Sequence, residues 1–265
     1  MSWGTDVDAW RDFQRTAGLP NSTIELRTYH VRRAGRDLAR PPDEVELEHL
    51  VEWLASKGWK PNTRRSYRAS LRSFYGWALY TGRVRRSPAH QLPPVKVPRT
   101  KAKRAPETAY TSAQRIADDR ALLAIRLAGT CGLRRGELAR SRRDWLERDL
   151  LGWTLHVVGK GGRERWVPVP DDLAQTILRR PAGYLFPSPR GGHLTPHHLG
   201  KIVSTCLPGD LTTHSLRHRA GYVSYDGTKD IRAVQEFLGH AKLDTVMIYT
   251  EVPPASIRAA MEAAA

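Results

Sequence analysis

Four short segments in the second half of the chain carry residue types that could act together on a phosphate ester. Residues 132–138 read GLRRGEL, residues 159–162 read GKGG, residues 214–218 read HSLRH, and residues 238–240 read LGH, with Tyr249 nine positions further on. Planar guanidinium groups match the negative charge that develops on the nonbridging oxygens of a phosphate under attack. Histidine can move a proton, and a tyrosine hydroxyl can act as a nucleophile. The set is therefore suited to phosphodiester exchange.

The reaction would need no added energy source. A tyrosine hydroxyl has a reference pKa of about 10, so ionising it near neutral pH costs about 4 kcal/mol, which nearby cations and a general base can supply. A covalent phosphotyrosine would then store the bond energy for rejoining, so no nucleotide cofactor is needed. His193, His197 and His198 lie close in sequence but have no cysteine or acid beside them, so no metal site is predicted.

These segments, in this order, resemble the tyrosine recombinases, also called the phage integrase family. The resemblance extends over residues 108–252 as a catalytic domain, and the first part of the chain looks like the family's core-binding domain. In the family's pattern the first catalytic arginine follows Gly-Leu and precedes a glutamate by three positions, as Arg134 and Glu137 do. The six catalytic residues implied by the resemblance are Arg134, Lys160, His214, Arg217, His240 and Tyr249.

Each of these residues has an expected role. Arg134 and Arg217 would bind the phosphate, and Tyr249 would attack it to form a 3′-phosphotyrosine with a 5′ hydroxyl leaving. Lys160, on a glycine-flanked turn, would protonate the leaving oxygen.

The remaining expected roles are supporting ones. His214 would contact the phosphate or take the nucleophile's proton, and His240 would hydrogen-bond the phosphate. Glu137 and His218 would orient the arginine and the histidine.

The periodicity predicts mainly helices with one small β-sheet, an α+β chain. In the first part, helices are predicted over residues 6–17, over 43–58, and after Pro61 up to Gly82. Another is predicted after a cap cluster at 21–23, with Leu26, Tyr29 and Val31 as its first apolar residues. The helix after Pro61 has an apolar face formed by Tyr67, Leu71, Phe74, Tyr75 and Ala78.

The second part should open with one helix from about Ser112 that breaks at Gly132. A β-hairpin is predicted from residues 153–158 and 165–169, and further helices should begin near Thr195, Thr212 and Asp230, with a short one over 256–264. The domains are then a helical, SAM-like core-binding domain over 1–92, a basic proline-rich linker over 93–107, and a catalytic domain over 108–265.

The charge balance points to a polyanionic partner. The 265 residues include 43 Lys and Arg against 27 Asp and Glu, a formal net charge of +16, and cations that neutralise phosphates gain affinity by releasing counterions. A solvated basic surface is the alternative. The residues predicted to contact DNA are Arg64, Arg65, Arg68 and Arg72 on the fourth helix, and Lys101, Lys103 and Arg104 in the linker.

The resemblance also implies an assembly. The DNA would be double-stranded with paired inverted core sites, each bound by two protomers, and four protomers would act on two sites. The helix over 256–264 would pack on a neighbouring protomer. An accessory DNA-bending or excision factor would be a further partner. No stretch reaches the roughly 18 apolar residues of a membrane span, and the first ten residues, MSWGTDVDAW, lack a signal peptide's basic region. A cytoplasmic protein, at the nucleoid when bound to DNA, is expected.

Several functions remain open at this stage. The helical bundle begins within the first ten residues, which favours a compact two-domain recombinase. The divergent core-binding half favours an integrase of a phage or mobile element, with an Xer-like resolvase of chromosome or plasmid dimers as the alternative. A non-catalytic DNA-binding regulator would lack some of the six residues. A type IB topoisomerase would relax supercoils as a monomer without site preference.

Overall fold

The computed structural model describes residues 2–98, 103–239 and 261–262, with the side chain of Lys160 left out. The chain divides into two compact units, Met1–Thr100 and Lys101–Ala265. No helix of the described ranges is long and apolar enough to cross a membrane.

The described part of the first unit is helical. Its helices are α1 (Trp3–Thr16), α2 (Asn21–Leu38), α3 (Leu47–Ser56) and α4 (Pro61–Tyr80), with a 3₁₀ turn over Pro42–Glu44. Proline occupies the first position of α4, where a backbone N–H would have no partner within the helix, and its ring fixes φ near the helical value. The predicted buried face of α4 is confirmed: Tyr67, Leu71, Phe74, Tyr75 and Ala78 are all buried and pack around Trp10.

Two helices of this unit differ from expectation. Leu26 and Tyr29 are about half exposed, and α2 instead buries Ile24, Val31 and Ala34. The segment 21–23, read as a cap, is the first turn of α2 itself. The third helix begins at Leu47 instead of Asp43, because the Glu46 N–H donates to His49 Nδ1 at 3.0 Å and starts the helix there.

The second unit is a helical layer with one small sheet. Its helices are α5 (Glu107–Ile116), α6 (Asp119–Gly129), α7 (Arg135–Arg140), α8 (Asp171–Leu178), α9 (Pro196–Thr205), α10 (Thr213–Thr228) and α11 (Ile231–Leu238). The strands β1 (Leu146–Asp149), β2 (Gly152–Val158) and β3 (Glu164–Val169) form an antiparallel sheet in that order, with His156 opposite Trp166. Leu155, Val157, Val167 and Val169 point from the sheet into the core.

The α+β class and the β-hairpin are confirmed, as are helix starts at Thr195, Thr212 and Asp230, whose side chains each accept a capping N–H. The prediction of a single helix from Ser112 is wrong. This segment forms two helices, α5 and α6, because Asp118 accepts the Ala121 N–H at 2.7 Å and caps the start of α6. Strand β1 and helix α8 had not been predicted, and most of the helix expected over 256–264 lies outside the described residues.

Candidate active site

The structure brings five of the predicted site residues together. They come from the start of α7 and the first half of α10: Arg134, Glu137, His214, Arg217 and His218. Arg134 and Arg217 bind carbonyls at the carboxyl end of α11. For Lys160 the structure gives the backbone alone, in a turn between β2 and β3, and His240 and Tyr249 lie outside the described residues.

Glu137 lies at the centre of this cluster. Its side chain is 1% exposed and accepts hydrogen bonds from the Arg134 N–H and Nη1, both at 2.8 Å, and from Arg165 Nη1 and Nη2, both at 2.9 Å. Burial alone would raise the pKa of Glu137, but the hydrogen bonds and charge of Arg165, together with the bonds from Arg134, lower it to about 2. The carboxylate is therefore ionised near neutral pH.

Arg134 connects Glu137 to the end of α11. It directly precedes the first turn of α7, and its Nη2 donates to the Gly239 carbonyl at 3.0 Å. Its side chain is 37% exposed. The guanidinium is thus held in place by protein acceptors on one side and can be reached by a phosphate on the other.

Arg217 is buried, with its side chain 1% exposed. Nη1 donates to the Gly132 carbonyl, Nη2 donates to the Leu238 carbonyl at 2.6 Å, and Nη1 lies 3.8 Å from Glu137 Oε2. Arg217 therefore ties the loop before α7, helix α10 and the end of α11 into one unit.

Two glycines make this close approach possible. Gly132 and Gly239 have φ of +64° and +61°, a region that side-chain-bearing residues rarely adopt. A Cβ on Gly132 would lie 2.6 Å from Leu238 Cδ2, and one on Gly239 would lie 2.8 Å from Arg165 Cδ. The Gly-Leu-Arg and Leu-Gly-His patterns thus have a steric reason here.

Sequence reasoning missed Arg165, on β3. Its side chain is 12% exposed, and besides Glu137 it bonds the Phe237 carbonyl through Nε at 3.3 Å. A signal was present: alternation along the strand places residue 165 on the same face as the buried Val167 and Val169, where a cation requires a buried acid.

The turn that carries Lys160 passes beside Glu137. The Gly159 N–H donates to the Arg163 carbonyl at 2.6 Å, and a Cβ on Gly159 would lie 3.3 Å from Glu137 Oε1. Arg140 Nη2 also bonds the Val158 carbonyl at 3.1 Å, which fixes α7 against β2. The backbone of the Lys160 turn is therefore anchored next to the arginine cluster.

His214 and His218 form a pair on one face of α10. Their Nε2 atoms are 2.9 Å apart, so one ring donates and the other accepts. Burial and the charges of Arg217 and Arg134 lower the pKa of His214, while burial, His214 and Arg217 lower that of His218 to about 4. Both rings are neutral at pH 7, and a neutral His214 can accept a proton.

This depressed pKa predicts acid sensitivity. The unfolded chain takes up a proton on His218 near its reference pKa of about 6.5, but the folded chain does so only near 4, so up to about 3 kcal/mol of stability is lost as pH falls through that window. Urea unfolding of the wild type and of His218→Gln at pH 7 and pH 4 checks this. The wild type should lose more stability than the variant, and equal losses would contradict the assignment.

The residues predicted to contact DNA have different environments. Arg65 is exposed and Arg64 half-buried, whereas Arg68 donates through Nε and Nη2 to the Leu92 carbonyl at 3.0 and 2.6 Å and Arg72 donates to the His90 carbonyl. Arg68 and Arg72 therefore hold the chain that follows α4.

Lys101 lies outside the described residues. Lys103 pairs with Asp210, and the Arg104 guanidinium lies 3.5 Å from the centre of the Tyr222 ring. Both cations thus contact other residues of the second unit, to which they belong.

The cluster is suited to a phosphate. Three arginines surround one carboxylate, so the site carries excess positive charge, and the planar forks are already oriented by protein acceptors. Among the residues that the structure describes, no group of three or more His, Cys, Asp or Glu side chains could hold a metal ion.

Comparisons with known proteins agree with this chemistry. Residues 101–255 match the model of the phage integrase family. The chain is 29% identical to tyrosine recombinase XerD of Pseudomonas putida, over 93% of the chain and 87% of that protein.

Two solved structures are similar. The integrase from mycobacterium phage Brujita is 26% identical, with a TM-score of 0.50 over 94% of this chain and 88% of that one. A lambda integrase dimer bound to a COC′ core site shares the fold, with a TM-score of 0.75 at 17% identity over 95% of this chain and 77% of that one. Since the family model covers more than half of the sequence, the chain belongs to the phage integrase family of site-specific tyrosine recombinases.

Proposed function

We propose that the chain cuts and rejoins DNA through a 3′-phosphotyrosine on Tyr249, without a metal or nucleotide cofactor. The observation that carries this proposal is the convergence of Arg134 and Arg217 on buried Glu137 at the carboxyl end of α11. His240 is the next residue after Gly239, whose carbonyl Arg134 binds. These contacts support a common site for segments 132–138 and 214–218 with the end of α11.

The reaction follows from these positions. Arg134, whose side chain is partly exposed, binds the nonbridging oxygens. Arg217 is buried with its terminal nitrogens on the Gly132 and Leu238 carbonyls, so it joins Arg134 by exchanging a carbonyl for the phosphate. Both guanidinium groups then stabilise the charge of the transition state. His214 accepts the proton of the Tyr249 hydroxyl, whose oxygen forms a bond to phosphorus as the bond from phosphorus to the 5′ oxygen breaks.

The remaining groups complete the step. Lys160 donates a proton to the 5′ oxygen that leaves, and His240 hydrogen-bonds the phosphate. Reversal by a different 5′ hydroxyl reseals the strand and releases Tyr249. Glu137 and His218 hold Arg134 and His214 in place.

Within the family, we favour an integrase of a phage or mobile element. The similarity to the Brujita integrase over 94% of the chain supports this choice. An Xer-like resolvase is the second candidate, favoured by the similarity to XerD over 93% of the chain.

The proposed substrate is double-stranded DNA with paired inverted core sites. One dimer binds each site, and four protomers act on two sites. The lambda integrase dimer bound to a core site supports the first of these steps, the binding of a dimer to one site. Residues 1–92 would bind the core, 93–107 link, and 108–265 catalyse, with residues 256–264 packing on a neighbouring protomer. The complex would act in the cytoplasm at the nucleoid, with an accessory DNA-bending or excision factor as a further partner.

Sequencing the DNA that is covalently attached to the purified chain tests the site-specific reading. Recovered ends that cluster at one sequence are expected. Ends scattered without a common sequence would indicate a topoisomerase-like activity and contradict the proposal.

The helical unit offers a separate prediction about DNA contacts. Arg65 is exposed, so Arg65→Ala should reduce the slope of log affinity against log salt by about 1, the effect of one lost phosphate contact. Arg68 holds the Leu92 carbonyl, so Arg68→Ala should instead lower the stability of this unit by about 1 to 3 kcal/mol. Binding measured from 50 to 200 mM salt, with urea unfolding, distinguishes them; a salt slope unchanged by Arg65→Ala would remove Arg65 from the interface.

A further inference from the structure

Arg165 contacts two parts of the active site at once. From β3, it places both terminal nitrogens on the two oxygens of Glu137 at 2.9 Å, and its Nε on the Phe237 carbonyl at 3.3 Å, at the end of α11. Its backbone lies three residues after the turn of residues 160–162. With a side chain 12% exposed, Arg165 is shielded from solvent and faces the protein.

The contact with Glu137 determines how that carboxylate behaves. Glu137 is 1% exposed and also binds Arg134 through two N–H groups. A buried carboxylate needs several donors to stay ionised, and a planar fork also fixes its orientation. Half of the four hydrogen bonds described for Glu137 come from Arg165.

We propose that Arg165 is a positioning residue for strand cleavage. It keeps Glu137 ionised and oriented, and Glu137 in turn directs Arg134 toward the scissile phosphate. This inference rests on the phosphate-binding role proposed for Arg134.

Replacing Arg165 by methionine should slow cleavage about 10- to 100-fold, the usual cost of losing a group that orients a catalytic side chain. The probe is a nicked duplex carrying the sequence recovered from the covalent complex, and covalent product is measured in a single turnover. DNA affinity should stay close to that of the wild type, because Arg165 faces the protein.

The pH profile separates positioning from a general structural defect. In Arg165→Met, burial is no longer opposed by the Arg165 fork, so the pKa of Glu137 rises from about 2. Protonated Glu137 holds Arg134 poorly, so the acid limb of the variant's rate profile should lie at higher pH than that of the wild type.

A double-mutant cycle tests the route through Glu137. If Arg165 acts through that carboxylate, Arg165→Met combined with Glu137→Gln should cleave no more slowly than Glu137→Gln alone. Arg165→Lys should recover part of the rate, because it restores the charge without the fork. Arg148→Met, on exposed β1, removes an arginine from the same sheet and should leave the rate unchanged.

A pH profile parallel to that of the wild type, or additive losses in the cycle, would overturn the proposal. If Arg165→Met does not fold, Arg165→Lys is the test. A cleavage rate equal to that of the wild type would contradict the proposal, because lysine lacks the two-nitrogen fork that orients Glu137. The wild type and Tyr249→Phe are assayed alongside. Covalent product with Tyr249→Phe would refute the proposed nucleophile, whereas its absence leaves that function standing whatever Arg165 does.

Discussion

Replacing Tyr249 by phenylalanine is expected to abolish the covalent DNA complex while leaving DNA binding intact. The variant lacks the oxygen that bonds to phosphorus but keeps the ring and the arginine cluster. Loss of a catalytic nucleophile costs more than about 10⁴-fold in rate. Covalent product on a nicked suicide duplex, resolved on a denaturing gel, measures the effect, and a mobility shift under native conditions measures binding.

Tyr222→Phe is the matched control for this experiment. Tyr222 lies on α10 and holds the Arg104 guanidinium over its ring, a contact that phenylalanine preserves. The control should form covalent complex at the wild-type rate. Appreciable covalent product with Tyr249→Phe would mean that another group is the nucleophile.

Replacing Arg134 by lysine should give the second largest loss, about 10²- to 10³-fold in cleavage. Lysine keeps the charge but supplies a point donor in place of a fork, and cannot hold Glu137 and the Gly239 carbonyl while binding a phosphate. DNA affinity should fall by less than about tenfold, since the other phosphate contacts remain. Single-turnover cleavage and equilibrium binding on the same duplex separate the two effects.

Arg120→Lys, at an exposed position of α6, is the matched control and should change neither quantity. If Arg134→Lys lowered binding and cleavage by the same factor, Arg134 would be a general DNA contact. It would then have no special role in the transition state.

Local patterns predicted much of the fold. The glycine turn between two alternating apolar runs predicted the hairpin, and the cap residues Thr195, Thr212 and Asp230 predicted three helix starts. These signals succeed because they act over a few residues. The apolar run of α2 was predicted wrongly in part: the helix buries Ile24, Val31 and Ala34, whereas Leu26 and Tyr29 lie on its exposed side.

The motifs also identified most of the described cluster, but its internal contacts depend on the tertiary structure. Arg165 contacts Glu137, 28 residues away in sequence. Alternation along β3 predicts that residue 165 faces inward, but it does not predict which acid the arginine binds. Arg68 and Arg72 have a sequence pattern suited to phosphates, yet they hold backbone carbonyls at 92 and 90. A guanidinium can donate to a phosphate or to a backbone carbonyl, so the tertiary structure decides which of the two it binds.

The proposed reaction joins Tyr249 covalently to DNA. Protease digestion of the covalent complex, followed by mass spectrometry of the peptide that retains a nucleotide, is its most direct test. A 3′ phosphate esterified to Tyr249 is the expected result. A nucleotide attached to any other residue, or a link through a 5′ phosphate, would contradict it.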